Sequence, residues 1–259
     1  MLDGYRTALI TGASSGIGRS FARQLAQHGK DTILVARSEG NLNALAGELT
    51  TEHKTRAHVI VADLSVPHAA ESLHKEVEAL SWDVDLLINN AGFGKAGPFA
   101  DLPFDVQARM IRLNVNTLVE LSHLLLQPML ERGHGGIINI SSTAAFQPVA
   151  TMAVYGATKA FVLSFSESLA QEVAHHGIQV MALCPGATAT NFMETAGVWE
   201  DRQERMPAPD EVVAAGLRAF EAGKRTYIPG ALNRVAAFFA SRVLPRQLVT
   251  RLSETWMAG

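Results

Sequence analysis

Six short runs of aliphatic and β-branched residues, each followed by a longer segment with helical spacing, constrain the fold of this chain most. The runs are TALIT (7–11), TILVA (32–36), AHVIVA (57–62), VDLLIN (84–89), GIINIS (136–141) and IQVMAL (178–183). Nearly continuous apolar runs of this length are typical of strands that are buried on both faces of a parallel sheet. The helical segments between them are expected at 16–28, 42–50, 69–80, 105–131 and 151–175. This alternation predicts βαβ units in a doubly wound α/β fold.

The composition favours one globular domain over residues 1–259. No linker, charge block or internal repeat divides the chain, and 47% hydrophobic residues with 18% charged residues exclude a disordered protein. A net charge of −3 gives no reason to expect a nucleic-acid partner. Because the first strand begins at position 7 and no apolar run approaches about 20 residues, we expect a cytoplasmic protein without a leader or a membrane-spanning segment.

The C-terminal part of the chain differs in charge from the rest. Residues 218–259 contain seven basic and two acidic residues, a balance of +5, whereas the remainder carries −8. The segment YIPG (227–230) is expected to form a strand and a turn. A C-terminal helical extension (231–259) follows, with Pro245 opening a second helix and Leu244, Leu248 and Leu252 on one face. Packing on its own domain or on a partner subunit is one interpretation, and contact with an anionic membrane surface or an acyl-chain substrate is the other.

A glycine-rich loop, TGASSGIGRS (11–20), follows the first strand. Its glycines at 12, 16 and 18 permit a tight turn, and the helix after them would direct backbone amides at a phosphate. The second strand ends in LVARS, with Arg37 and no carboxylate before position 39. Arginine there accommodates a 2′-phosphate, whereas an acidic residue would bind the ribose 2′-hydroxyl. The sequence therefore predicts a dinucleotide site that prefers NADP(H) over NAD(H), with a solvated surface arginine as the alternative.

The stretch VYGATKAF (154–161) places Tyr155 and Lys159 on one helical face. A tyrosine packed beside a snorkelling lysine is the ordinary interpretation. Tyrosine, with a pKa near 10, is a reluctant acid–base group at neutral pH, and a nearby ammonium favours the phenolate. The alternative interpretation is therefore that Lys159 brings the pKa of Tyr155 toward the working range of an acid–base catalyst.

Six motifs in a fixed order make the sequence resemble the short-chain dehydrogenase/reductase family. They are TGASSGIG (11–18), NNAG (89–92), Asn114 in LNVNT, Ser142 in NISS, YGATK (155–159) and PGATAT (185–190). The resemblance implies a Rossmann-type parallel sheet of seven strands in the order 3-2-1-4-5-6-7, and hydride transfer between a nicotinamide and a carbonyl or alcohol. We also expect a homo-oligomer, either a dimer or a tetramer, and no metal site.

The resemblance implies a catalytic set of four residues. Tyr155 is the acid–base group, and Ser142 orients and polarises the substrate oxygen, an oxyanion-type stabilisation. Ser141 competes for that role, but the spacing of thirteen residues to Tyr155 favours Ser142. Asn114 bends its helix and holds a water that relays protons to Lys159, and Lys159 also holds the nicotinamide ribose.

The resemblance further implies cofactor contacts that lie in the loops after the strands. Asp63 and Leu64 would meet the adenine, although an aspartate that caps the next helix is the alternative. The full set of predicted contacts is Gly12, Ser14, Ser15, Gly16, Ile17, Gly18, Arg37, Asp63, Leu64, Asn90, Ala91, Gly92, Tyr155, Lys159, Pro185, Gly186, Thr188 and Thr190.

A lid and helix over the substrate are expected at 190–225. Apolar side chains concentrate there and in the segments that would face them, namely Phe192, Met193, Trp199 and Met206 in the lid and Phe93, Phe146, Val149 and Met152 opposite. We interpret them as a pocket for a hydrophobic ketone, aldehyde or secondary alcohol, with ordinary packing as the alternative. The 3-oxoacyl-carrier-protein reductases of the family usually end soon after the seventh strand. The continuation to residue 259 therefore argues against that activity and favours similarity to bacterial reductases with a basic, apolar tail.

Two other classes of function stay open at this point. A cofactor-sensing module could keep the cleft without turnover, although a sensor has no chemical need for all four catalytic residues. A peripheral membrane protein could act through its C-terminal tail.

Overall fold

The computed structural model describes residues 2–198 and 204–258. Its strands are β1 (Thr7–Thr11), β2 (Asp31–Ala36), β3 (Ala57–Val61), β4 (Leu86–Asn89), β5 (Gly135–Ile140), β6 (Ile178–Leu183) and β7 (Thr226–Tyr227). All six neighbouring pairs are parallel, and the sheet has the order β3-β2-β1-β4-β5-β6-β7. The predicted Rossmann-type topology is confirmed.

Helices cover both faces of this sheet. They are α1 (Gly16–Gln27), α2 (Glu39–His53), α3 (Ala69–Ala79), α4 (Phe104–Ile111), α5 (Leu118–Arg132), α6 (Ala153–Glu172), α7 (Phe192–Ala196), α8 (Pro209–Glu221), α9 (Ala231–Phe238) and α10 (Arg246–Ala258). None of these described helices is both long enough and apolar enough to cross a bilayer.

The strands are apolar throughout because successive side chains enter two different cores. Ile10 packs with Phe21 and Phe220 in the core on the side of α1 and α8. Leu9, its neighbour in β1, packs with Leu73 and Leu125 in the core on the side of α3 and α5. Side chains alternate between the two faces of a strand, so a strand covered on both faces needs apolar residues at every position.

The segment 105–131, predicted as one helix, is interrupted. A π-helical segment, Arg112–Thr117, separates α4 from α5 and contains Asn114. Single π turns within helices occur frequently at functional sites. Within this segment, the Asn114 carboxamide accepts a hydrogen bond from the Phe93 amide and donates one to the Phe93 carbonyl.

The C-terminal extension forms two helical pieces after β7. The expected helix over 231–244 consists of α9 and a π-helical segment, Phe239–Val243, and α10 begins directly after Pro245. Both pieces contact the wall of residues 143–152. Helix α9 packs on the 3-10 turn Thr143–Phe146, and the Ser253 side chain in α10 accepts a hydrogen bond from the Ala150 amide at 3.3 Å.

Candidate active site

One cleft of about 630 Å³ opens at the carboxyl ends of the strands. Ligands bind at this edge in open parallel sheets, because the loops after the strands converge there. The predicted residues that line it are Gly12, Ser14, Ser15, Gly16, Ile17, Arg37, Asp63, Leu64, Asn90, Ala91, Gly92, Ser142, Tyr155, Lys159, Pro185, Gly186, Thr188 and Thr190. Gly18 and Asn114 are absent from the lining, and each lies behind it.

The glycine loop brings bare backbone to the cleft. Gly12 and Gly16 have positive φ angles of +67° and +52°, which favour glycine. Helix α1 begins at Gly16 without an acidic residue in its first turn, and Ser15 makes no capping bond to its amides. These amides can therefore receive a phosphate. A Cβ at Gly18 would collide with the Gly12 carbonyl oxygen, so this glycine permits close packing beneath the loop, and its predicted contact with the cofactor stays a prediction.

Asn90 ties the glycine loop to the end of β4. Its Nδ2 donates to the Thr11 carbonyl at 2.8 Å, and its backbone amide donates to Thr11 Oγ1 at 3.0 Å. Asn90 therefore braces the loop in addition to lining the cleft. The preceding residue, Asn89, braces neighbouring strands, since its Nδ2 at the end of β4 donates to Asn139 Oδ1 in β5 at 2.9 Å.

Two arginines, Arg37 and Arg109, lie near the Asp63 carboxylate at the end of the cleft next to β2 and β3. Asp63 Oδ1 accepts hydrogen bonds from Ser65 Oγ at 2.6 Å and from the Ser65 amide at 2.9 Å. The Ser65 side-chain bond lowers the pKa of Asp63, and the guanidinium groups of Arg37 and Arg109 act in the same direction. Arg37 is exposed directly after β2. An anionic group of a bound ligand would contact the Arg37 guanidinium at this end of the cleft.

Tyr155, Ser142 and Lys159 converge where the cleft meets the lid segment. The Ser142 side chain is near enough to the Tyr155 phenol to lower its pKa. The Ser142 hydroxyl also accepts a hydrogen bond from the Ala144 amide at 3.1 Å, which holds its side chain in place. Ser141 points elsewhere, because its hydroxyl donates to the Lys159 carbonyl at 2.8 Å. The arrangement favours Ser142 over Ser141 as the residue that meets a substrate oxygen.

Burial dominates the electrostatics of this group. Desolvation raises the pKa of Tyr155 to about 12, and the Ser142 side chain opposes it. Desolvation likewise lowers the pKa of Lys159 to about 8. The expectation that Lys159 lowers the phenol pKa is not met in the protein alone. Its Nζ lies 5.8 Å from the centre of the Tyr155 ring and donates to the Ile140 carbonyl at 2.8 Å, so burial outweighs the attraction.

Asn114 is almost fully buried behind Gly92. Its Oδ1 accepts from the Phe93 amide at 3.1 Å, and its Nδ2 donates to the Phe93 carbonyl at 3.0 Å and to Thr158 Oγ1 at 3.1 Å. Both amide protons are thus engaged by the protein. Of the carboxamide atoms, only Oδ1 retains capacity for a further hydrogen bond, for instance from a water.

The lid half of the cleft is lined mainly by apolar side chains. The Phe192 ring lies 5.2 Å from the Tyr155 ring. The apolar side chains lining this half are Phe93, Val149, Met152, Phe192, Met193 and Val198. Two of the predicted pocket residues are corrected: Met206 packs against this cluster without lining the cleft, and Phe146 does not line it. Trp199 lies outside the described residues.

A family model described as short chain dehydrogenase matches residues 6–201, most of the chain. The chain belongs to the short-chain dehydrogenase family. Membership makes it an oxidoreductase that uses a nicotinamide cofactor.

Three relatives illustrate the range of the family around this short-chain dehydrogenase. It is 32% identical over 242 residues to hydroxysteroid dehydrogenase-like protein 1 of Gallus gallus, covering 93% of this chain and 72% of the relative. It is 32% identical over 252 residues to the very-long-chain 3-oxoacyl-CoA reductase of Anas platyrhynchos, covering 95% and 78%. A solved short-chain dehydrogenase from Sphingobium yanoikuyae in complex with NADPH is 36% identical, with a TM-score of 0.84 and coverage of 92% and 93%.

Two cationic residues that line the cleft of this short-chain dehydrogenase, Arg109 and Lys95, were not predicted from the sequence. Arg109 lines the cleft together with Val106 and Leu113, at i, i+3 and i+7 spacing on one side of the α4 region. Lys95 follows the NNAG motif in the loop after β4 and lines the lid half. The helical spacing and the position after a parallel strand are signals that the sequence does contain.

Proposed function

We propose that this protein is an NADP(H)-dependent oxidoreductase that transfers hydride between the nicotinamide and a hydrophobic ketone, aldehyde or secondary alcohol. The observation that carries the proposal is the convergence of Tyr155, Ser142 and Lys159 between a phosphate-accepting loop and an apolar pocket. Relatives named for hydroxysteroid and 3-oxoacyl-CoA substrates support an apolar carbonyl compound.

The residues of the cleft fit a dinucleotide. Gly12 and Gly16 line the cleft with backbone alone, and a Cβ at either position would collide with Asn90 Nδ2 at 2.7 Å or with Thr190 Cγ2 at 2.9 Å. The α1 amides would hold the pyrophosphate, Asp63 and Leu64 the adenine, and Lys159 the nicotinamide ribose. Pro185, Gly186, Thr188 and Thr190 would border the nicotinamide, which supplies or accepts the hydride when it is bound.

Tyr155 is the proton donor in this proposal. With a pKa of about 12 the phenol keeps its proton at neutral pH, which is the state that ketone reduction requires. Ser142 donates a hydrogen bond to the substrate oxygen, so that the developing alkoxide is stabilised in a site from which water is excluded. Lys159 then resupplies the proton to the Tyr155 phenolate, and Asn114 holds the water that relays protons to Lys159. Alcohol oxidation would use the same residues, with Tyr155 accepting the proton instead of donating it.

Arg37 carries the preference for NADP(H). It is exposed directly after β2, where the ribose of the adenosine would lie, and a guanidinium binds phosphate bidentately. The NADPH complex of the Sphingobium relative supports this cofactor.

The deciding experiment pairs Tyr155→Phe with Tyr227→Phe, which lies outside the cleft. A series of ketones and alcohols of graded chain length is followed by NADPH absorbance, and cofactor binding by NADPH fluorescence. Tyr155→Phe should abolish turnover and retain NADPH binding, whereas Tyr227→Phe should retain both. Wild-type protein that binds NADPH but turns over no carbonyl in the series would instead indicate a sensor.

A homo-oligomer and a cytoplasmic location complete the proposal. Sedimentation velocity and cell fractionation test them.

A further inference from the structure

The outward side of α9 and of the π-helical segment after it is apolar. Leu232, Phe238 and Val243 are 86%, 58% and 53% exposed, and Val235 and Phe239 are exposed beside them. Ordinary surface helices place such a stripe against the core. Here the stripe faces solvent.

The packed side of α9 is the side with small residues. Ala237 is the buried residue of this helix, and it lies opposite Leu232, Val235 and Phe239, which share a face at i, i+3 and i+7. The apolar stripe is therefore not the surface that holds α9 on the domain. Its side chains are available to a partner.

Helix α10 repeats this arrangement. Leu248 and Leu252 are exposed at i and i+4, whereas Val249 and Ser253 are buried. Because both helical pieces pack on the wall of residues 143–152, their exposed sides point away from it. The C-terminal apolar face is defined here as Leu232, Val235, Phe238, Phe239, Val243, Leu248 and Leu252.

The charges around this face are basic. Arg234, Arg242, Arg246 and Arg251 lie exposed on the same helices, with Glu254 as the acidic residue of the segment 231–254. A second copy docked face to face would bring arginines against arginines, which disfavours association. An anionic lipid surface complements both parts of this face, because its headgroups attract the arginines and its acyl chains accommodate the apolar side chains.

We propose that the C-terminal apolar face docks this protein on an anionic lipid surface, with its aromatic and aliphatic side chains at the acyl boundary and its arginines among the headgroups. An exposed apolar patch rimmed by basic residues is the chemistry of an interfacial helix. Docking needs no turnover, so it stands or fails separately from the proposed activity.

The docking face lies directly behind the active site. The wall that carries α9 and α10 also contributes Val149 and Met152 to the apolar half of the cleft. Asn233 of α9 packs against Gly186, where a Cβ would come within 2.6 Å of its Nδ2. Docking therefore holds the outer side of this wall of the apolar pocket close to the bilayer.

Vesicle sedimentation of the full chain tests the proposal. Vesicles of equal parts phosphatidylcholine and phosphatidylglycerol should bring down the protein, and phosphatidylcholine alone should bring down much less. Raising the salt from 0.1 M to 1 M shortens the Debye length from about 10 Å to about 3 Å and should weaken binding. The double variant Val235→Ser/Phe239→Ser should lose roughly tenfold or more in partitioning.

Phe104→Ser is the matched control, because Phe104 is 81% exposed on α4 and lies outside the proposed face. It should bind vesicles as the wild type does. Leu232→Ser serves if the double variant does not fold, since Leu232 is more exposed still. Melting temperature and NADPH fluorescence report folding.

Two results would overturn the proposal. One is wild-type protein that stays in the supernatant with anionic vesicles. The other is a dimer in sedimentation velocity that Val235→Ser/Phe239→Ser dissociates while vesicle binding is absent or unchanged, which would assign the face to a second copy of the chain.

Discussion

Replacing Lys159 by methionine measures what a buried ammonium costs this fold. Burial lowers the pKa of Lys159 from 10.5 to about 8. One pKa unit corresponds to about 1.4 kcal/mol, so the charged form costs the folded state about 3 kcal/mol below pH 8. Methionine removes that cost but leaves the Ile140 carbonyl without its donor at 2.8 Å, a loss of about 1–3 kcal/mol. At pH 7 the variant should be equally stable or about 2 kcal/mol more stable.

The sign of the pH dependence is the stronger test. Between pH 8 and 10.5 the unfolded chain holds the Lys159 proton and the folded protein does not, so wild-type stability gains about 3 kcal/mol from this group as the pH rises. Lys159→Met lacks this gain. It should therefore become less stable than the wild type near pH 10.5, by about 1–3 kcal/mol.

Urea unfolding of the cofactor-free proteins at pH 7, 8.5, 9.5 and 10.5 provides the measurement, with Lys75→Met, which replaces an exposed lysine on α3, as the control. The control should differ from the wild type by a constant amount. If the difference between Lys159→Met and the wild type is also independent of pH, the ammonium is not desolvated as the structure indicates, and the reasoning fails.

Three further results are expected. Arg37→Ala should weaken NADPH binding and spare NADH binding, and an unchanged ratio in fluorescence titrations would exclude Arg37 as a phosphate contact. Gly18→Ala should lower the unfolding free energy by about 1–3 kcal/mol, because its Cβ meets backbone; unaltered urea curves would contradict this. Ser142→Ala should reduce kcat about a hundredfold or more, whereas Ser141→Ala should change kcat little, and equal losses in both would remove the distinction between them.

Much of the fold and of the candidate site could be predicted from local pattern. Apolar runs between helical segments identify a parallel sheet, because a strand that is covered on both faces has apolar residues at nearly every position. The glycine loop and the Tyr155–Lys159 spacing were recognisable for the same reason, since backbone reach and helical periodicity depend only on neighbours along the chain.

Contacts between segments far apart in the chain could not be predicted from local sequence pattern. The glycine pattern does not show that Gly18 packs against Gly12 and against Asn90, a residue that follows β4 more than seventy positions later. Helical spacing puts Arg109 on one side with Val106 and Leu113, but that this side faces the cleft depends on how α4 packs on α6. Helical spacing predicted that Tyr155 and Lys159 lie on one side of α6, but it did not predict how fully both side chains are buried.

The amino-acid sequence by itself determined the order of strands and helices, the phosphate-accepting loop and the candidate catalytic residues, because each is written in spacing over a few positions. The tertiary structure decided which groups are desolvated and which faces stay uncovered. It raised the pKa of Tyr155 and left the C-terminal apolar face exposed. Both outcomes depend on how much protein surrounds a side chain, a sum over segments far apart in the chain that no local pattern contains.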